Sequence, residues 1–207
     1  MSDDTLGNNP GFRLRANYHH INREDEVNFG FWVFLMSDAI IFGLIFATYE
    51  TMTRATAGGP GPKQLFDIGS IAVETGALLL SSFTYGLASL ALKYNRGRCA
   101  VIGWLVLTLA LGFVFLGFEV SDFLTMFAKG GGPDTSGFTS AFFGLVPLHG
   151  LHVTSGCIWM IVLIVQMLRY GIDADVRLGV QRLALFWHFL DIVWIAIFSL
   201  VYLGGLA

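Results

Sequence analysis

Residues 100–120 read AVIGWLVLTLALGFVFLGFEV, a run of 21 positions with one ionisable side chain, Glu119. About 20 mostly apolar residues suffice to cross the hydrocarbon core of a bilayer as a helix, because every backbone N–H and C=O is then paired within the segment. Four other stretches share this character: Phe29–Tyr49, Ile68–Leu92, Phe142–Leu168 and Leu183–Leu203. Pro147 is tolerated near a helix start or as a kink, so the fourth span is compatible with a start as early as Phe138. The reading is an all-α integral membrane protein, a bundle of five transmembrane helices.

Composition agrees. The chain is 55% hydrophobic and 13% charged, with mean hydropathy +0.66, against roughly 25% charged residues in a soluble domain. The net charge is −3, most charged residues lie in short connections and the N-terminal segment, and no basic footprint for nucleic acid is present. Cys99 and Cys157 stand far apart with no second Cys or His at zinc or redox spacing, so both are expected to pack. Residues 1–27 are polar and lack the apolar core of a cleavable signal, and are expected to stay as a cytoplasmic tail preceding a transmembrane domain over 28–207. Turn-forming connections separate the spans: Ala57–Pro62, Lys93–Arg98 and Lys129–Asp134.

Basic residues near the helix ends set orientation. Arg13, Arg15, Arg23, Lys93, Arg96, Arg98, Arg169, Arg177 and Arg182 fall on one side, and Arg54, Lys63 and Lys129 on the other. The N-terminus is therefore predicted cytoplasmic and the C-terminus periplasmic.

Ionisable groups at membrane depth are costly and usually face the protein interior. The candidates are Asp38, Glu74, Glu119, His149, His152, His188 and Asp191. In the fourth span His149, His152, Gly156, Trp159 and Gln166 share one helical face. Glu74, Ser81, Ser82, Tyr85 and Ser89 form a stripe on the second, and His188 and Asp191 pair at i,i+3 on the fifth. Three buried histidines raise a haem or metal site. Depth opposes it: measured from the cytoplasmic helix ends, His152 lies roughly 22 Å in and His188 roughly 8 Å, a mismatch of about 15 Å for two axial ligands. Interhelical hydrogen bonding is the favoured role, at about 0.6 kcal/mol per bridge. A proton relay stays open for Asp38 and Asp191, and Glu74 and Glu119 are expected near the external surface, hydrated. Trp32, Trp104, Trp187, Tyr49 and Tyr202 are expected at the interface, with Trp159 and Trp194 packed between helices.

Three strings carry a family resemblance. Residues 30–38 (GFWVFLMSD), 142–156 (FFGLVPLHGLHVTSG) and 186–194 (FWHFLDIVW) resemble subunit III of haem–copper terminal oxidases, and the likeness covers nearly everything after about residue 28. The five-helix length, the Gly58-Gly-Pro60 loop, Val73-Glu-Thr75 and the Gly132–Gly137 loop look most like the bo-type ubiquinol oxidase branch. Cytochrome c oxidases also have five-helix forms, so subunit III of that type remains the alternative. The resemblance implies a multi-pass protein of the bacterial inner membrane that has no redox centre or catalytic residue of its own. It further implies contact with subunit I, which holds the haems and copper, association with subunits II and IV, bound phospholipid, and a role in assembly and sustained turnover. Two other classes compete. A free-standing haem b carrier is opposed by the uneven histidine depths, and a small secondary transporter by the lack of a repeat with broken helices.

Overall fold

The computed structural model describes residues 10–53, 55–57 and 68–206, and among these no strand occurs. The first nine residues, Arg54, the Gly58–Pro62 loop and Lys63 lie outside the described residues. The helices are α1 (Pro10–Met52), α2 (Ile68–Lys93), α3 (Arg98–Ala128), α4 (Gly137–Tyr170) and α5 (Ala174–Ile197). α5 continues as a π-helical segment, Phe198–Leu203, and a final turn, Gly204–Leu206. Each of the five carries a segment long and apolar enough to cross a membrane: Glu26–Met52, Gly69–Lys93, Arg98–Ala128, Gly137–Tyr170 and Ala174–Leu203.

Helix ends follow from local chemistry. Pro10 opens α1, a position where its missing N–H costs nothing, so the helix reaches back into the stretch read as a polar tail. α4 starts at Gly137 because Ser136 and Thr139 form a reciprocal capping box: the Thr139 N–H donates to Ser136 Oγ at 3.2 Å, and the Ser136 N–H to Thr139 Oγ1 at 3.1 Å. Between α2 and α3, Arg96 N–H closes back on the Ala91 carbonyl at 3.0 Å, while Asn95 and Gly97 take positive φ, 49° and 96°. Gly97 is suited to that turn, since a Cβ is strained there.

Two helices differ from the sequence expectation for one reason. α3 runs eight residues past Val120 to Ala128, because Ser121 and Asp122 lower hydropathy without breaking the backbone ladder; Thr125 Oγ1 even donates to the Ser121 carbonyl at 2.9 Å. α5 starts at Ala174, not Leu183. Its first turns carry Asp175, Arg177 and Arg182, which an apolarity search passes over although a helix accepts them.

The chain divides into two compact units, residues up to Ile40 and residues from Ile41. In the first, α1 is helical throughout, Ser37 Oγ donates to the Val33 carbonyl at 2.9 Å, and Asp38 lies next along the chain. In the second, α2 packs on α3, α3 on α4, α4 on α5 and α5 on α2, closing a ring of four helices. The end of α1 joins α4, where Tyr49 meets Phe138 at 5.9 Å between ring centroids. Along α5 the inward residues Leu190, Val193, Trp194 and Ile197 are buried, whereas Ile192 is 67% exposed. Outward apolar side chains suit hydrocarbon surroundings, where no water competes for the helix backbone.

Candidate functional site

α2 supplies the polar side chains that join the ring. Ser81 Oγ accepts the Trp187 indole N–H at 3.1 Å, Thr75 Oγ1 accepts that of Trp194 at 3.1 Å, and Tyr85 donates to the Val180 carbonyl at 2.9 Å, all reaching α5. Toward α3, Thr84 and Thr108 hydroxyls lie 2.8 Å apart, and Ser70 Oγ donates to Asp122 Oδ1 at 2.9 Å. Buried polar groups must be satisfied in this way, because hydrocarbon offers no alternative partner. Trp187 is held by close approach as well. A Cβ at Gly112 would stand 3.1 Å from its Cη2, and one at Gly156 3.0 Å from its Cζ3. The indole is thus gripped by α3 and α4 while Ser81 on α2 accepts its N–H hydrogen bond.

The histidines separate by direction. His188 Nδ1 is 2.8 Å from Ser82 Oγ on α2 and 3.6 Å from Asp191 Oδ2, the i,i+3 pair expected from sequence. His152 keeps its Nδ1 on its own helix, 2.7 Å from the Leu148 carbonyl, which fixes the proton on that nitrogen, and its ring faces Phe42 at 5.3 Å. His149 is fully buried and stacks on Trp194 at 5.4 Å, with Phe115 edge-on at 6.0 Å and Phe42 at 6.4 Å. Neither of its nitrogens has a hydrogen-bond partner within the chain. Such a nitrogen is the donor an iron would need, and aromatic rings enclose it on three sides.

His152 and His188 differ less in depth than the sequence predicts. Trp187 lies against Gly156 and Trp194 against His149, which sets His152 level with Asp191 and only about one helical turn, roughly 5 Å, from His188. The early start of α5 moves His188 deeper. What keeps the two rings from a common ligand is orientation: one turns to α2, the other to Phe42. Among the described residues no group of three or more His, Cys, Asp or Glu is placed to hold a metal ion.

Glu74 and Glu119 also depart from expectation. They are buried, at 1% and 3% exposure, not hydrated at the surface. Glu119 lies against the α4 backbone, where a Cβ on Gly150 would meet its carboxylate oxygens at 2.6 and 2.7 Å. Hydropathy along one helix cannot show that a glycine on another lets it close over a carboxylate. Glu74 lies within electrostatic reach of Asp122 and Glu119, and one oxygen of each glutamate, Oε1, has no hydrogen-bond partner within the chain. A cavity of about 170 Å³ adjoins Glu119, lined also by Ser70, Asp122, Lys129 and Tyr202 among others. Tyr202 comes from the π-helical end of α5.

Sequence reading missed several participants. Asp122 fell beyond the expected end of its span, and Thr75, Thr84, Thr108 and Ser70 resemble ordinary helix residues until their partners are known. Trp187, Tyr49 and Tyr202, expected at the interface, are buried in the bundle; the deeper Trp194 packs as expected, and Trp159 lies 6.2 Å from Phe186. The stripe on α2 was the legible signal.

Five membrane-length apolar helices, four of them packed in a ring, define a polytopic helical membrane protein. The chain belongs to the cytochrome c oxidase subunit III family, which its residues 14–206 match. It is 47% identical over 177 residues to the cytochrome bo(3) ubiquinol oxidase subunit 3 of Pseudomonas aeruginosa, a match covering 86% of this chain and 84% of the relative. The corresponding protein of Buchnera aphidicola subsp. Baizongia pistaciae is 43% identical over 86% of this chain and 91% of its own. The quinol oxidase subunit 3 of Bacillus spizizenii is 40% identical over 86% of each.

Proposed function

We propose that this chain is subunit 3 of a bo-type ubiquinol oxidase, a bacterial inner-membrane complex that couples ubiquinol oxidation and oxygen reduction to proton translocation. The observation that carries this reading is the 47% identity, across most of both chains, to a relative named for that complex. In this reading the haems and copper reside in subunit I, against which this chain packs, with subunits II and IV completing the complex. No residue of this chain is assigned a catalytic role. Lysine and arginine counts support an N-terminus in the cytoplasm and a C-terminus in the periplasm.

The chain's own contribution is mechanical. Glu74, Glu119, His149, His152, His188 and Asp191 hold the bundle, Asp38 serves on α1, and the exposed apolar faces take phospholipid and the partner subunit. A rigid ring of this kind supports assembly and sustained turnover without touching the reacting atoms.

Purification through a tag on this chain tests the reading. The expected complex contains a haem-bearing subunit and a second subunit without a copper-binding Cys/His set, and oxidises ubiquinol. Recovery of a copper-bearing second subunit with cytochrome c oxidation would move the chain to the cytochrome c branch. Stoichiometric haem on the chain alone would overturn the accessory role. His149→Ala is expected to loosen packing or lipid retention while initial turnover stays near the parent value; immediate loss of turnover in an assembled complex would contradict it.

A further inference from the structure

The cavity beside Glu119 does more than separate helices. Its wall combines the α2 hydroxyl of Ser70, the α3 groups Glu119, Asp122 and Thr125, Lys129 just past the end of α3, and Tyr202 from the π-helical segment. A water molecule needs about 10–15 Å³ of accessible cavity and two to four polar partners. At about 170 Å³ this space takes a small cluster of waters, not one. It reaches toward the α3 terminus, where Thr125 and Lys129 are exposed.

Two independent observations point to a ligand there. Glu119 lines the cavity, is 3% exposed, and its Oε1 has no hydrogen-bond partner within the chain. A carboxylate buried this way is costly unless something donates to it. The second is the π-helical segment, a distortion of the backbone ladder frequent at functional sites, and it is this segment that carries Tyr202 into the cavity wall.

We propose that this cavity is a hydrated proton-binding site in which Glu119, with Glu74 and Asp122 close by, holds an exchangeable proton reached through the water cluster from the α3 C-terminal side. The ligand class is water carrying an excess proton. The step is acid–base alone: a carboxylate oxygen accepts a proton from the hydrated cluster, an O–H bond forms, and the reverse returns it with no electron transferred. The titratable groups around Glu119 are Glu74 on α2, Asp122 on α3, Lys129 just past its end, His149 on α4, Tyr202 on the end of α5 and Tyr49 on the end of α1. Lys129 at the cavity wall is an exposed cation, and the buried part contains carboxyls, phenols and the ring-enclosed His149. A proton bound to one of these carboxyls removes a like charge from the buried group.

Infrared difference spectroscopy on the assembled complex tests this, whichever electron donor it uses. A pH step is expected to give a carboxylic-acid C=O band that moves to lower frequency in D2O and disappears in Glu119→Gln. Glutamate labelled with carbon-13 in the unaltered complex assigns the band to a glutamate by shifting it, and Glu119→Gln assigns it to this residue. A labelled spectrum with no glutamate carboxylic-acid band responding to pH, or one whose band ignores D2O, would overturn the proposal. So would an assembled Glu119→Gln complex with the full parent band.

Discussion

Gly150 is the residue on which the burial of Glu119 depends. A Cβ there would lie 2.6 Å from a carboxylate oxygen, and that oxygen belongs to a side chain enclosed by packing. Gly150→Ala is therefore expected to destabilise by about 1–3 kcal/mol, the usual cost of overpacking, read as a lower thermal transition of the assembled complex. Gly103→Ala, where nothing lies within 4 Å, serves as the control and is expected to change little. An equal effect of both would mean that close approach is not what Gly150 provides. Trp187→Phe tests the neighbouring grip. It withdraws the far ring atoms that lie against Gly112 and Gly156 and also removes the N–H given to Ser81, and about 1–3 kcal/mol of the expected loss belongs to the buried acceptor left unpaired. If Ser81→Ala in the same background restores part of that stability, the hydrogen bond is the cause.

Helix boundaries here are set by caps and turns where hydropathy is silent. Ser136 and Thr139 fix the start of α4, and with it the register that brings His149 against Trp194 and Gly156 against Trp187. Ser136→Ala is expected to cost about 0.5–2 kcal/mol, seen as faster amide exchange in the first turn of α4 with protection near Gly156 retained. Uniform loss along the helix would show that the cap governs more than its end. By contrast, the exposed contact of Arg177 with Asn95, at 2.6 Å, joins α5 to the α2–α3 turn from solvent. An exposed charged contact contributes about 0–1 kcal/mol, so Arg177→Gln should be near neutral in the same thermal assay.

The ring of four helices makes α2 the common partner of α3 and α5, which explains why its polar stripe is longer than one contact requires. Membrane sidedness adds a test on the intact complex. In a background lacking Cys99 and Cys157, a cysteine replacing Asn95 is expected to react with an impermeant thiol reagent only from the cytoplasmic side, and one replacing Thr135 only from the periplasmic side. The reverse pattern would invert the orientation supported by the basic residues.

Much of this was legible from the residues in order. Apolar runs of membrane length fix the number of helices because a lone backbone cannot remain unpaired in hydrocarbon, and the strings around Asp38, His149 and His188 carried the family. Ionisable residues on helical faces identified His149, His188 and Glu74 as inward candidates. What order along the chain could not give is relative height and the neighbour across a gap. His152 and His188 changed depth once α5 was seen to start at a charged turn, and Glu74 and Glu119 passed from a hydrated edge to the interior. Asp122, Thr75 and Thr84 acquired partners only in the folded ring. Hydropathy reports whether a segment enters the membrane; helix packing decides which side chains meet, because a glycine at 150 or 156 sets how closely the facing helix approaches.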